Sequence, residues 1–448
     1  MLREDTPNGF PESLKRYNPN DPTIIYHGQI VLEKEDYEVF IDGKISFDWL
    51  PEIRLTFEGA IPDTDIYHDF LGFNLSKQPL RVRADNIDFG KGEITQFVNG
   101  KYSGRIIGEK AIGDLNAQVE KITFVIPNLK SISGEAVSWD GNYYSNKRLT
   151  LDNMDYSIIL EENVAYKESK DQLQNTGGYC IQYYGEAVKK AGLFTYSEAT
   201  SLAQSLSTFL SFIVGRRTSL LFLTGMSRKS NVWNDFSTNI VDRYKPVSSW
   251  YHRDKQMDLK ALWKTFSFIW NDQKQVSNLK NVISFYLESN CNKVFIENCI
   301  VLSQAAMELI YNWEFVEKGL GKETDYAQVK LAKLVENLML STDIPQSLNY
   351  LKQLENVVFV DKLFSPRPKI TLAAEAFLEI RNAIIHGNTW RRENLGKIST
   401  HARIDAWILG NWYIELSILK ILGYNGLYNN RTVSMKIDYS SMEPVPWV

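Results

Sequence analysis

The residues best equipped for chemistry lie in the segment EIRNAIIHGN, where Arg381 and His386 are separated by four residues and Asn382 follows the arginine directly. A histidine titrates near neutral pH, so it can accept and return a proton without help from a cofactor. An arginine stays charged and presents a planar fork of donors that matches phosphate. Together they suit a reaction that transfers a proton while negative charge builds on a phosphate oxygen. Asn382 could orient the imidazole or bind a phosphate oxygen. Because Arg-x4-His is a common spacing, its meaning depends on the element that carries it.

That element reads as a helix. Residues 369–386 place Ala373, Ala376, Phe377, Ile380 and Ile384 on one apolar stripe at the helical period, the face expected to pack on a bundle. Glu375, Glu379, Asn382 and His386 form a row on the opposite side, flanked by Leu378 and Ile385, with Arg381 between this flank and the stripe. A polar row beside apolar flanks suits a face that meets a second copy of itself, and Glu375 and Glu379 are expected at the surface or in that contact. Arg381 and His386 fall about 140° apart on an ideal helix. Two routes can reunite them. Either the helix ends at His386 with Gly387 as the following left-handed residue, or each reaches a shared cleft with the aid of a partner protomer. A histidine at a helix C-terminus also has its protonated form favoured by the helix dipole.

The rest of the chain supplies the setting. Residues 1–165 alternate in short β-like runs (TIIYHGQIVL, YEVFIDG, EIRLTFEG, VEKITFVIPNL, DYSIIL), punctuated by Gly, Pro, Asn and Asp, as in an antiparallel sandwich or barrel. Residues 166–260 read as a mixed connecting region of the same N-terminal module. A helix is expected through SEATSLAQSLSTFLSFIV, stopping at Gly215, followed by a strand in TSLLFLTG. Residues 261–430 read as helical, most clearly at 293–316, 325–340, 369–386 and 402–423, and 431–448 as a C-terminal tail. The expected fold class is therefore α+β, a β-rich N-terminal domain followed by an all-α bundle.

Composition narrows the function. The 448 residues carry a formal net charge of −4, which argues against a protein that coats nucleic acid but permits a locally basic groove. Three cysteines, Cys180, Cys291 and Cys299, are too sparse for a disulfide framework, and with five histidines a structural zinc site is not expected. Cys180 reads as a buried thiol. GKG at 90–92 lacks the spacing of a nucleotide-binding loop. The most apolar window, 202–225, is interrupted by Arg216 and Arg217, so no membrane span is expected and the chain reads as cytoplasmic.

The RNAIIH segment at the end of a late bundle helix resembles the HEPN superfamily, over about residues 280–430. The layout of a β-rich N-terminal domain, a FLSFIVGRRTSLLFLTG segment and a terminal bundle is similar to ApeA-like HEPN proteins of bacteria. The resemblance implies a dimer with both motifs facing one cleft. It also implies a metal-independent endoribonuclease that needs no cofactor, with Arg381, Asn382 and His386 as catalytic residues. The 2′-hydroxyl of RNA would attack the adjacent phosphate, leaving a 2′,3′-cyclic phosphate, and DNA would resist. A role in antiphage abortive infection follows, with RNA, such as a transfer RNA, as substrate. The N-terminal region would act as sensor for a phage-derived trigger. Glu308 is a candidate charge partner for Arg381 or a solvated glutamate. Trp390, Arg391 and Arg392 are candidate RNA contacts or a solvated loop. His401 is expected near a helix cap, and Arg216, Arg217, Arg228 and Lys229 form a candidate basic patch. The competing expectation is a non-catalytic HEPN module that binds RNA or nucleotide.

Overall fold

A computed structural model describes residues 6–34, 37–62, 79–108, 110–253, 258–290, 295–433 and 441–448. The architecture is α+β, a β-rich N-terminal region followed by a helical C-terminal region. The chain divides into two compact units, Met1–Ser207 with Thr218–Pro246, and Thr208–Arg217 with Val247–Val448.

The first unit begins with a closed antiparallel barrel. Strands β1 (Thr23–Lys34), β2 (Tyr37–Asp48), β3 (Arg54–Ala60), β4 (Leu80–Ala84), β5 (Ile87–Val98) and β6 (Lys101–Ile107) pair in the order β1-β2-β3-β6-β5-β4. The register Ile30↔Ala84 through Glu33↔Arg81 joins β1 to β4 and closes the ring. Alternation decides which residues fill it: Ile30 and Leu32 of β1, and Ile41, Ile45 and Phe47 of β2, are fully buried. Gly104 faces the Phe57 ring so closely that a Cβ would lie 2.2 Å from it, so a glycine is required there.

An eight-stranded sheet completes this unit. Its strands are β7 (Ala111–Gly113), β8 (Lys121–Pro127), β9 (Glu135–Trp139), β10 (Asn142–Asp152), β11 (Tyr156–Glu162), β12 (Ile181–Lys189), β13 (Leu221–Ser227) and β14 (Ser230–Asp235). They run in the order β7-β14-β13-β8-β12-β11-β10-β9. The almost uninterrupted apolar run of β8 marks a strand paired on both edges and covered on both faces. Helix α1 (Tyr166–Thr176) lies between β11 and β12, and α2 (Tyr196–Val214) between β12 and β13. As expected, α2 stops at Gly215, whose φ is +73°.

The second unit is helical. Its elements are α3 (Leu259–Asn271), α4 (Val276–Ser289), α5 (Ile296–Tyr311, continuing into a π turn at Asn312–Val316), α6 (Ala327–Asn337), the single turn α7 (Asn349–Lys352), α8 (Ala373–Ile385), α9 (Thr389–Gly396) and α10 (Thr400–Ile421). The start of the predicted 293–316 helix, and Cys291, lie outside the described residues. Asp258 caps α3 by accepting the Ala261 N–H at 2.9 Å, and Ser399 caps α10 by accepting that of Ala402 at 3.1 Å. Helix α10 is buried without a break from Leu409 to Leu419, as a central helix must be. At its middle, a Cβ on Gly410 would stand 2.8 Å from the Phe377 ring of α8 and 2.9 Å from Oγ of Ser303 on α5, so glycine sets the closeness of these three helices. A short ribbon of β15 (Leu427–Asn429) and β16 (Met442–Pro444) follows. Among the described residues, no helix is long and apolar enough to cross a membrane.

Candidate active site

Helix α8 carries the Arg381–His386 segment. Ala373, Ala376, Phe377 and Ile380 are buried, as the apolar period requires, whereas Ile384 is only half-buried. The opposite face departs from expectation. Leu378 and Glu379 are buried at 2% and 4% exposure, so Glu379 is not a surface residue. The physical cause is coverage by segment 358–367 and by α9. Arg367 Nη1 donates to Glu379 Oε2 at 2.5 Å, Arg391 Nη1 to both carboxylate oxygens at 3.2 Å, and Asn394 Nδ2 to Oε1 at 3.0 Å. Asn394, itself fully buried, also bonds the backbone N–H and C=O of Val360, fastening the covering segment to α9. Glu375 is exposed as expected, so the polar row is interrupted at Glu379 and opens again at Asn382.

Arg381 is half-buried. Its Nη1 donates to Oδ1 of Asn382 at 3.0 Å, and its Nε is enclosed without a hydrogen-bond partner. Burial lowers the guanidinium's hold on its proton, and the Glu308 carboxylate on α5 opposes that effect. The Glu308 side chain is 41% exposed, and its Oε1 accepts from Nζ of Lys330 on α6 at 2.8 Å, a residue only 7% exposed. Glu308 thus brings negative charge towards Arg381 while committed to a different cation.

His386 is exposed and caps the C-terminus of α8, its N–H donating to Asn382 O at 3.1 Å. The helix stops at the expected place, with His386 as C-cap and Gly387 following, but the stop is not left-handed. His386 is extended at φ −99° and ψ 102°, and Gly387 does not take a positive φ. Asn388 is the extended N-cap residue of α9, which packs back against α8 so that Arg391 and Asn394 meet Glu379. Among the described residues, no hydrogen bond joins His386 to Arg381 or Asn382 through their side chains. Asn382 turns its carbonyl oxygen to Arg381, so it orients the guanidinium and not the imidazole.

The segment after the motif forms a helix and not a solvated loop. In α9, the Arg391 guanidinium lies over the Trp390 ring, 3.9 Å from its centroid, while Arg392 is exposed. Burial first, and secondarily the charge of Arg367, pull Arg391 below the ordinary arginine range against the pull of Glu379. His401 sits in the first turn of α10 and stacks on Tyr350 at 4.6 Å. Of the candidate basic patch, Arg216 is buried and Arg217 pairs with Glu288, while Arg228 and Lys229 are exposed in the β13–β14 turn at positive φ. Cys180 is buried and its thiol pushed up to about 11 by that burial, which fits an inert thiol.

Sequence reading missed Arg367, Asn394 and the inward turn of Glu379. Their signal was weak, because Arg367 lies outside any periodic element and the other two look like ordinary polar helix positions.

Residues 114–247 match the family model described as YopA central domain, and residues 272–441 the one described as YopA C-terminal domain. The "SPbeta prophage-derived uncharacterized protein YopA" of Bacillus subtilis (strain 168) is 25% identical over 446 residues, covering 97% of each chain. No solved structure matches. The chain is thus similar to YopA from the barrel to the last helix, with separate matches to the YopA central and C-terminal domains.

Proposed function

We propose that the helical unit is a metal-independent endoribonuclease of the HEPN kind, acting in the cytoplasm on RNA, with transfer RNA as a candidate substrate. The observation that carries this reading is the contrast along one helix end: Arg381 has guanidinium donors left unspent, and five residues later His386 is exposed at the cap. Arg381 would bind the scissile phosphate and stabilise charge as the 2′-oxygen attacks. His386 would carry the proton. Asn382 holds the guanidinium through its carbonyl oxygen and keeps its amide N–H groups for a phosphate oxygen.

Within one chain no hydrogen bond joins Arg381 to His386, which favours a cleft completed by a second copy. The same observation favours the competing reading, a module that binds RNA without cutting it. The biological setting we propose is conflict between bacterium and phage, in keeping with the prophage origin in the relative's name. The N-terminal unit would sense a phage-derived trigger and restrain the nuclease.

The test is cleavage of total cellular RNA by the full chain in EDTA, comparing wild type with His386→Ala. Wild type should leave 2′,3′-cyclic phosphate ends, and the variant should be slower by about 10²–10⁴-fold. Equal cleavage by both removes His386 from the mechanism. RNA binding without cleavage by either, with phage-infected cells unaffected by the substitution, selects the binding module.

A further inference from the structure

The Arg367–Glu379–Arg391 cluster does more than fasten α9 to α8. A single buried carboxylate holds two guanidiniums, leaving a local excess of one positive charge. Glu379 is 4% exposed, while the side chains of Arg391 and Arg367 are 16% and 31% exposed, so the excess charge faces outward. Each arginine spends only Nη1 on Glu379. The Nε and Nη2 donors of both are hydrogen-bonded to no described residue. Bringing two like charges together on one anion is unfavourable unless the carboxylate is well placed or a second anion is expected. Burial is the main cause of the lowered proton affinity of Arg391, and the charge of Arg367 adds to it.

Of the acids adjacent in sequence, Glu393 pairs with Lys397, while the Asp361 carboxylate accepts the backbone N–H groups of Leu363 and Ser365 and makes no salt bridge to either arginine. The cluster is also rigid. Arg367 N–H donates to Phe359 O at 2.8 Å, and Asn394 clamps Val360 on both sides of its peptide unit. A fixed pair of forks with spare donors is the arrangement suited to a phosphodiester oxygen.

Its position on α8 relates it to His386. Glu379 and His386 are seven residues apart, so they lie on nearly the same face, about 10 Å apart along the axis. Trp390 lies beside the cluster with Arg391 over its ring, adding an aromatic plate next to the charge.

We propose that Arg367 and Arg391, held by the buried Glu379 carboxylate, form a second phosphate-binding subsite for single-stranded RNA, separate from Arg381 and on the His386 face of α8. This rests on the nuclease reading for the identity of the polymer. The subsite takes a phosphate beside the one that reacts, so it fixes the register of the strand and takes no part in bond breaking. Arg367 is the residue to test, because it lies outside any helix and its loss leaves the Arg391–Glu379–Asn394 bonds in place.

The experiment uses the full chain carrying His386→Ala, so that RNA survives, and a fluorescent oligouridylate titrated across a salt series. Adding Arg367→Gln should weaken binding and reduce the slope of log affinity against log salt by about 0.7, the value for one phosphate contact on a single strand. Arg367→Lys should restore the slope. A thermal melt of each variant separates lost contact from lost fold. Unchanged affinity and slope in Arg367→Gln overturns the subsite, even where wild type cleaves RNA. An Arg367-dependent slope in a protein that never cleaves RNA supports the subsite and overturns the nuclease reading alone. No RNA binding, with thermal stabilisation by inorganic phosphate that Arg367→Gln abolishes, overturns the RNA assignment in favour of a free-phosphate site. Absence of both responses overturns the subsite outright.

Discussion

Two arginines of the helical unit receive opposite treatment. Arg431 is 2% exposed and its partner Glu415 fully buried. Its Nε donates to Glu415 Oε2 at 2.8 Å, Nη2 donates to the other carboxylate oxygen, and Nη1 donates to Asn290 Oδ1 at 3.1 Å. Tyr286 adds its hydroxyl to the same carboxylate at 2.5 Å. Every part of this guanidinium is answered by protein. Arg381 is half in water, bonds one neighbouring side-chain oxygen, and has an enclosed Nε with nothing to donate to. A saturated buried charge ties elements together: Arg431 joins the segment after β15 to α4 and α10. A guanidinium left under-used at the surface end of a helix is available to something the chain does not contain. Hydrogen-bond satisfaction, more than residue type or burial, distinguishes the two roles.

The sharpest way to break this contrast is to remove Arg431. Arg431→Met strands the Glu415 carboxylate in the core, and loss of one partner from a buried pair destabilises by about 3–5 kcal/mol. Urea unfolding of the variant should show a loss of unfolding free energy of that size. A loss below about 1 kcal/mol would mean that the network is not what holds this segment. The companion change is Arg381→Gln. Stability should stay within about 0.5 kcal/mol of wild type, because the lost side chain has a single adjacent partner. RNA cleavage should fall by about 10²–10³-fold, the range for one lost charge-stabilising donor group. If Arg381→Gln unfolds the protein, the contrast with Arg431 disappears.

How much of this was legible beforehand follows from the range of the interactions. Period and punctuation are local signals, so the strands of the barrel, the stop of α2 at Gly215, and helices α5, α6, α8 and α10 could all be anticipated. Arg381, Asn382 and His386 could be singled out because their chemistry is compressed into six residues. The surroundings of the site could not. Glu379 looked like an exposed position because nothing local says that residues 358–367 fold back over it. Arg367 and Asn394 reach it from 12 and 15 residues away. The Arg431–Glu415 pair spans 16 residues, and its contact with Asn290 spans 141. Helix α9 was hidden by its polar composition.

A third charged cluster tests whether satisfaction or burial governs. Asp325 lies near the surface yet accepts from Tyr311 Oη at 2.6 Å, from the Lys322 N–H at 3.1 Å and from Lys333 Nζ at 3.2 Å. The Tyr311 hydrogen bond, followed by that of Lys322, holds its carboxyl down to about 2. An unfolded aspartate titrates near 3.9. A carboxyl whose folded pKa is depressed stabilises the fold above the unfolded value and loses that contribution as pH falls through the folded one. The difference in melting temperature between wild type and Asp325→Asn should therefore be present above about pH 4 and shrink as the pH approaches about 2. It should be smaller than the Arg431 effect, because water can replace the lost partners. A difference that stays constant over this window would show that Asp325 is not held by these donors in the folded chain, and saturation at an exposed site would then count for little.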